Sequence, residues 1–238
     1  MAQDGISGER LFDVGCVSWR LRSPLFLGYF LVLLDRRTMR KRLRASRSAM
    51  PADERRQAAL AVAARVAECP IYASARHIAG YWACQGELDP LPLLERAWAV
   101  NKRVYLPIIV DNPVGTLRFA PHRPDSALRP NRFNIPEPDL PETEWSSPEQ
   151  MDVVLTPLVA FDLVGARLGM GGGFYDRSFA FVRDPAYPGK RPYLLGLGYE
   201  FQKIPDLLVR EVWDISLDAV ATQAALYTFT AENGVARR

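Results

Sequence analysis

The sequence predicts an α/β fold: a mostly parallel central sheet with helices on both faces, in a three-layer sandwich. Three observations predict it. The candidate strands are short, continuous apolar runs, as expected of strands buried on both faces. They alternate with helical segments, as parallel crossovers require. The 238 residues, 48% hydrophobic and 24% charged, suit a soluble domain with a sizeable core. That composition excludes a disordered chain, a collagen-like chain and a polytopic membrane protein. With no internal repeat and no linker, one domain is expected over residues 39–230, behind an extension over residues 1–38.

The extension carries an apolar run, LFLGYFLVLL at 25–34, after Arg20 and Arg22. A spanning helix needs about 20 apolar residues, so this run is too short. It has the length of a signal-peptide core, yet Asp35-Arg36-Arg37 follows with no small-residue cleavage site. It reads as an accessory segment, or as upstream sequence ahead of a start at Met39, with membrane attachment as a minor alternative.

Residues 36–50 hold Arg36, Arg37, Arg40, Lys41, Arg42, Arg44 and Arg47. At helical spacing Arg36, Arg40, Arg44 and Arg47 share one face, and Met39, Leu43 and Met50 another. Residues 1–50 carry ten Lys/Arg against four Asp/Glu, a net +6, which leaves −3 for the other 188. The basic character therefore belongs to this segment, and the body is not a nucleic-acid surface. Pro51-Ala52-Asp53-Glu54 opens a second helix, with proline and acids in its first turn, and Cys69-Pro70 ends it.

Strands are expected at His77–Ala83, Arg103–Ile109, Thr116–Ala120, Asp152–Thr156, Tyr193–Tyr199 and Ala219–Thr222. Helices are expected over Pro90–Val100 and Phe174–Val182, with a short helix or turn at Asp206–Val212. Seven prolines in residues 121–150 predict a long extended loop there. Cys16, Cys69 and Cys84 are odd in number and far apart, and only two histidines are present. That pattern fits a reducing, cytoplasmic setting without structural zinc.

The most informative stretch is Phe161–Arg177, FDLVGARLGMGGGFYDR. Its glycines let backbone N–H groups turn toward a ligand unobstructed, and a following helix N-terminus would favour an anion. Arg167 could add a bidentate contact to phosphate, and Asp176 could hold magnesium beside it. The loop is neither a Walker A motif nor a dinucleotide fingerprint, because Phe174 stands where the third glycine of GxGxxG belongs. The alternative is a flexible surface loop.

These residues resemble the 5-formyltetrahydrofolate cyclo-ligase family. The matching positions are Pro157, Ala160-Phe161-Asp162, Gly165, Arg167-Leu168-Gly169, Gly171-Gly172-Gly173 and Tyr175-Asp176-Arg177. Further blocks occur in order: Tyr81 with Gly86-Glu87 and Asp89, Lys102–Pro107, Leu117-Arg118-Phe119, Glu137-Pro138 and Gly196–Gln202. The resemblance covers roughly Thr38 to Tyr227. It implies ATP- and magnesium-dependent closure of 5-formyltetrahydrofolate to 5,10-methenyltetrahydrofolate, through a phosphorylated formyl group. It also implies a monomer that engages a reduced folate and ATP, and neither nucleic acid nor membrane.

By position, the resemblance assigns ATP binding to Arg40, Lys41 and Arg44, and to the loop Arg167, Leu168, Gly169, Met170, Gly171, Gly172, Gly173, Phe174 and Tyr175. Folate binding falls to Trp82, Glu87, Gly171 and Tyr175. Catalytic roles fall to Arg167 and Tyr175, and magnesium to Asp176 and Asp214. Each has a plainer reading: a solvated basic face, a helix-capping Glu87, core aromatics at Trp82 and Phe119, a turn residue at Asp214. Two rival functions also stay open, a non-catalytic nucleotide or nucleic-acid binder built on residues 36–47, and a paralogue acting on another substrate.

Overall fold

A computed structural model describes residues 36–110 and 115–229, all within one unit, Asp35–Arg238. The apolar run at 25–34 lies outside the described residues. Among the described residues, no helix is long and apolar enough to cross a membrane.

The chain enters through helix α1 (Arg36–Ala49) and turns at Pro51 into α2 (Ala52–Ala67). Pro70 does more than end α2: it sits in the first turn of a separate helix, α3 (Pro70–Ser74), where its missing N–H costs nothing. Then come β1 (His77–Ala79), α4 (Leu91–Ala99), β2 (Arg103–Val110) and β3 (Thr116–Pro121). The proline-rich segment holds a small hairpin, β4 (Leu128–Pro130) with β5 (Pro136–Pro138), which the sequence reading took for extended loop. After β6 (Val153–Pro157), a ribbon of β7 (Ala160–Phe161) and β8 (Arg167–Leu168) leads into the glycine loop. Helix α5 covers only Phe174–Ser178, and a 3₁₀ turn, Ala180–Arg183, replaces the rest of the expected helix. The chain finishes with β9 (Tyr193–Leu197), β10 (Ala219–Ala221) and an unforeseen β11 (Leu226–Thr228). The turn segment Asp206–Val212 carries no helix.

The central sheet has seven strands in the order β11-β10-β9-β6-β1-β2-β3. The five inner strands pair in parallel, and β3 and β11 close the edges antiparallel. Alternation along each strand splits the core between two faces. Ile78, Leu106, Val153, Leu155 and Leu195 pack beneath α2 and α4. Ala79, Tyr105, Val154, Leu194 and Val220 pack on the opposite face with Phe161, Phe179 and Ile215. The second face is therefore covered by α5 and loop segments more than by long helices. A third, smaller cluster joins Leu43 of α1 to Val159, Ala160 and Leu168, seating α1 on the ribbon beyond the end of β6.

At the amino ends of the strands, Asp152 accepts hydrogen bonds from the N–H groups of Arg76 (2.6 Å) and His77 (2.8 Å), and from the Lys190 ammonium. Burial alone would raise this carboxyl, but Lys190 and the two N–H groups outweigh it and hold the pKa at about 2. The depressed value means that the stabilisation is complete above the ordinary carboxylate pKa of 3.8 and is lost as pH falls toward 2. Asp152→Ala is expected to cost about 1–2 kcal/mol at pH 7, after allowance for solvent screening. Urea unfolding of both proteins at pH 7 and pH 3 checks this, with the gap narrowing at pH 3.

Candidate active site

The inner strands aim their carboxyl ends at one cleft, where ligands of open α/β sheets bind. Pro157 ends β6, Ile109 lies near the end of β2, and Tyr81 and Trp82 follow β1. The cleft has a volume of about 860 Å³.

One wall is α1. Its arginine face, apart from the exposed Arg44, is turned into the protein. Arg36 bonds Asp214 Oδ2 at 3.1 Å, Arg40 Nε bonds the Gly169 carbonyl at 2.8 Å, and Arg44 bonds the Gln85 side chain. Arg47 is wholly buried and donates to the carbonyls of Leu158 and Gln85, each at 3.2 Å. The reading of a solvated face holds for Arg37, Lys41, Arg42 and Arg44, which are exposed and outside the cleft lining.

The second wall is the turn after β1. Gly86 adopts φ +74°, and a Cβ there would stand 3.1 Å from the Arg47 carbonyl, so glycine lets turn and helix meet. Glu87 is only 8% exposed. It does not cap α4; Asp89 does that, accepting the Leu91 N–H at 2.9 Å. Glu87 Oε2 instead accepts the Cys84 N–H at 3.2 Å, and Oε1 lies 3.8 Å from Arg47 Nη1. Burial pushes the Glu87 carboxyl above the usual range, against the Cys84 N–H and the Arg47 charge. Trp82 is 42% exposed and lines the cleft, whereas Phe119 is fully buried, so of these two only Phe119 is a core aromatic.

The third wall is the glycine loop. Residues Gly169–Asp176 all line the cleft. The Leu168 side chain does not; it packs under Leu43. Arg177 fastens the loop from behind, donating to the carbonyls of Gly115 and Gly172, both at 2.8 Å. Arg167 gives Nη1 to the Ile215 carbonyl (2.6 Å) and Nη2 to Asp176 (2.9 Å). Asp176 also accepts the Ile215 N–H at 3.1 Å, which brings it beside Asp214 in the chain. Asp214 accepts the Glu211 N–H at 2.9 Å, so it is a turn residue as well as a cleft residue. Tyr175 stacks on Phe179 (ring centroids 6.2 Å), and burial raises its hydroxyl pKa far above neutrality, keeping it protonated.

The fourth wall carries residues that sequence reasoning gave no role. The β4–β5 hairpin places Asn131, Phe133, Ile135 and Glu137 in the cleft. Phe133 meets Phe174 of the glycine loop edge to face, at 6.0 Å. Glu137 Oε1 accepts the Ile109 N–H (3.0 Å) and Asn131 Nδ2 (2.7 Å). The Glu137-Pro138 pair was the available signal, without periodicity around it to indicate a fold.

The donor set bears on magnesium. Among the described residues no three His, Cys, Asp or Glu side chains form a metal cluster. Asp176 and Asp214 both line the cleft, each already facing an arginine, Arg167 at 2.9 Å and Arg36 at 3.1 Å, with further oxygen valences open to an ion. That suits magnesium, which takes one or two carboxylates and fills its octahedron with water and substrate phosphates. It does not suit an all-protein cage.

Fold and cleft together define an α/β protein that presents a glycine-rich loop, a cationic helix and paired carboxylates beyond the ends of its parallel strands. The sequence model for the 5-formyltetrahydrofolate cyclo-ligase family matches residues 33–223. The chain is 37% identical to 5-formyltetrahydrofolate cyclo-ligase of Escherichia coli K12, over 78% of this chain and 98% of that protein. It is 34% identical to the Haemophilus influenzae protein of the same name, over 76% and 94%. The solved 5,10-methenyltetrahydrofolate synthetase of Aquifex aeolicus superposes with a TM-score of 0.67 at 29% identity, covering 81% of this chain and 92% of that one. The chain belongs to the 5-formyltetrahydrofolate cyclo-ligase family.

The loop geometry yields a matched pair of substitutions. Gly173 has φ +66°, and an added Cβ would lie 2.6 Å from Arg177 Nη1. Gly169 has no described atom within 4 Å of such a Cβ and no positive φ. Gly173→Ala is expected to cost about 1–2 kcal/mol, and Gly169→Ala under about 0.5 kcal/mol, by urea unfolding.

Proposed function

We propose that the chain closes the ring of 5-formyltetrahydrofolate to give 5,10-methenyltetrahydrofolate, using Mg-ATP and releasing ADP and phosphate. One observation carries the reading. A single cleft gathers Arg40, the glycine loop, Asp176 and Asp214 with Trp82 and Glu87, so phosphate-binding and heterocycle-binding groups face one space.

The chemistry needs those groups together. An amide-like formyl oxygen is a poor leaving group. In the proposed sequence it attacks the γ-phosphorus of ATP, and ADP departs. The folate nitrogen at position 10 then attacks the formyl carbon, loses its proton to solvent, and the oxygen leaves as part of inorganic phosphate. The protein contributes by holding two anionic molecules in line and offsetting charge at the γ-phosphoryl group.

Residue roles follow from the contacts. The N–H groups of Gly169–Gly173 and the Arg40 guanidinium would surround the phosphates, with Lys41 and Arg44 adding charge from the same helix. Lys41 and Arg44, both exposed and outside the cleft lining, would act only at long range. Magnesium, held by Asp176 and Asp214, would offset phosphate charge. Arg167, tied to Asp176 and Ile215, would fix that carboxylate rather than reach the phosphate itself. Glu87 would accept hydrogen bonds from the amino-pyrimidine edge of the pterin, a pairing its two oxygens allow. Trp82 would cover the ring, and Met170, Gly171, Phe174 and Tyr175 would close the opposite side. We place the protein in the cytoplasm as a monomer. The free thiols of Cys69 and Cys84 fit a reducing compartment.

Purified protein with 5-formyltetrahydrofolate and Mg-ATP should develop the near-ultraviolet absorbance of the methenyl product. Omission of ATP should abolish the rise, and Asp176→Ala should slow it by about a hundredfold or more. Folded protein that binds ATP but gives no rise would move the assignment to another substrate.

A further inference from the structure

Arg47 is the most deeply buried charged residue of the cleft region, at 0% exposure. A buried cation costs several kcal/mol unless it is paired. Its bonds to the Leu158 and Gln85 carbonyls would be met as well by a neutral donor. Its Nε has no partner among the described residues. What calls for a charge is Glu87, whose Oε1 lies 3.8 Å from Nη1. The same guanidinium touches the glycine loop, with Nη2 3.9 Å from Met170 Sδ.

We propose that Arg47 is a positioning residue: it fixes the Glu87 carboxylate as an anionic hydrogen-bond acceptor. The inference rests on the reading of Glu87 as a folate ligand.

The Cys84 N–H gives the Glu87 anion its larger local support, and among charged groups the task falls to Arg47. From its own turn Glu87 meets the Cys84 thiol and N–H. Tyr81 follows β1, Tyr175 comes from α5, and Tyr199 follows β9 and donates to the Glu87 carbonyl at 3.4 Å. Burial pushes all three phenols up, and the Cys84 thiol to about 11, so none supplies charge near neutral pH. The cations are Arg47 and Arg44, both from α1. Arg44 is exposed, and solvent screens it. Removal of Arg47 leaves desolvation opposed chiefly by the Cys84 N–H, so the Glu87 pKa rises further and the neutral acid, a poorer acceptor, gains ground.

The test uses the full chain with Arg47→Gln, Arg47→Lys and Glu87→Gln, measuring KM for folate and for ATP from pH 6.5 to 8.5. Arg47→Gln is expected to raise the folate KM by about tenfold at pH 7, with recovery as pH rises, and to leave the ATP KM within about twofold. Arg47→Lys should restore most of the folate affinity and leave a pH profile displaced upward from the parent's by less than that of Arg47→Gln. Glu87→Gln should raise the folate KM at every pH. Equal behaviour of Arg47→Gln and Arg47→Lys, or a parallel rise of both KM values without pH dependence, would reduce Arg47 to a structural brace and overturn the proposal. If Arg47→Gln does not fold, Arg47→Lys against the parent protein decides. The weaker point-charge contact must then shift the folate pH profile upward, and an unchanged profile overturns the proposal. An unchanged folate KM in Glu87→Gln would overturn the role of Glu87, and this inference with it; a raised one with no effect at Arg47 would overturn this inference alone.

Discussion

Four arginines on one face of α1 each end on a different part of the cleft: Asp214, the Gly169 carbonyl, Gln85 and the Leu158 carbonyl. Without those contacts the glycine loop, the turn at Glu87 and the segment at Asp214 would have no common support. Single exposed ion pairs contribute little to stability. Here every contact but the exposed Arg44–Gln85 pair is partly or wholly buried, and several end on backbone carbonyls, which fixes direction as well as distance. Leu43 supplies the apolar complement by packing on Val159, Ala160 and Leu168. The helix is therefore held by a short apolar stripe and used through its polar face, the reverse of an ordinary surface helix.

The sheet supplies the rigid frame for this arrangement. Its inner strands are apolar on both faces, and their carboxyl ends deliver Tyr81, Ile109 and Pro157 to the cleft. At the opposite end, Asp152 ties the start of β1 to the residue before β6 and to Lys190. Ring closure by phosphoryl activation depends mainly on placing reactants and offsetting charge, so a stiff sheet with charged loops at one end suits it. The buried tyrosines around Glu87 fit the same logic. Burial pushes their hydroxyls up, so they carry no charge near neutral pH, and the nearest charge facing Glu87 is that of Arg47.

The sheet and its main helices were legible because apolar runs and helical spacing mark them directly. The glycine loop was legible because its composition has few other physical uses. What escaped was governed by contacts distant in sequence. Pro70 looked like a stop and is a start, since a proline ends one helix and begins another by the same chemistry. The β4–β5 hairpin has strands of three residues rich in proline, too short for any period to register. Helix α5 stops at Ser178, whose hydroxyl donates to the Phe174 carbonyl (2.7 Å) and accepts the Leu117 N–H (2.7 Å), tying the helix end to β3. The basic face of α1 was visible by spacing, but its inward direction was not, because only the folded chain sets Asp214 and Gly169 opposite it. Leu168, carried by resemblance into the nucleotide group, has its side chain in the core.

The central claim is that this cleft joins ATP to the formyl oxygen before the ring closes. Labelling that oxygen with the heavy isotope and following it through one turnover tests it most directly. Transfer of the label from substrate into inorganic phosphate is the expected result. Label appearing in water, with none in phosphate, would contradict phosphorylation of the formyl group and leave ATP hydrolysis uncoupled from the bond that breaks.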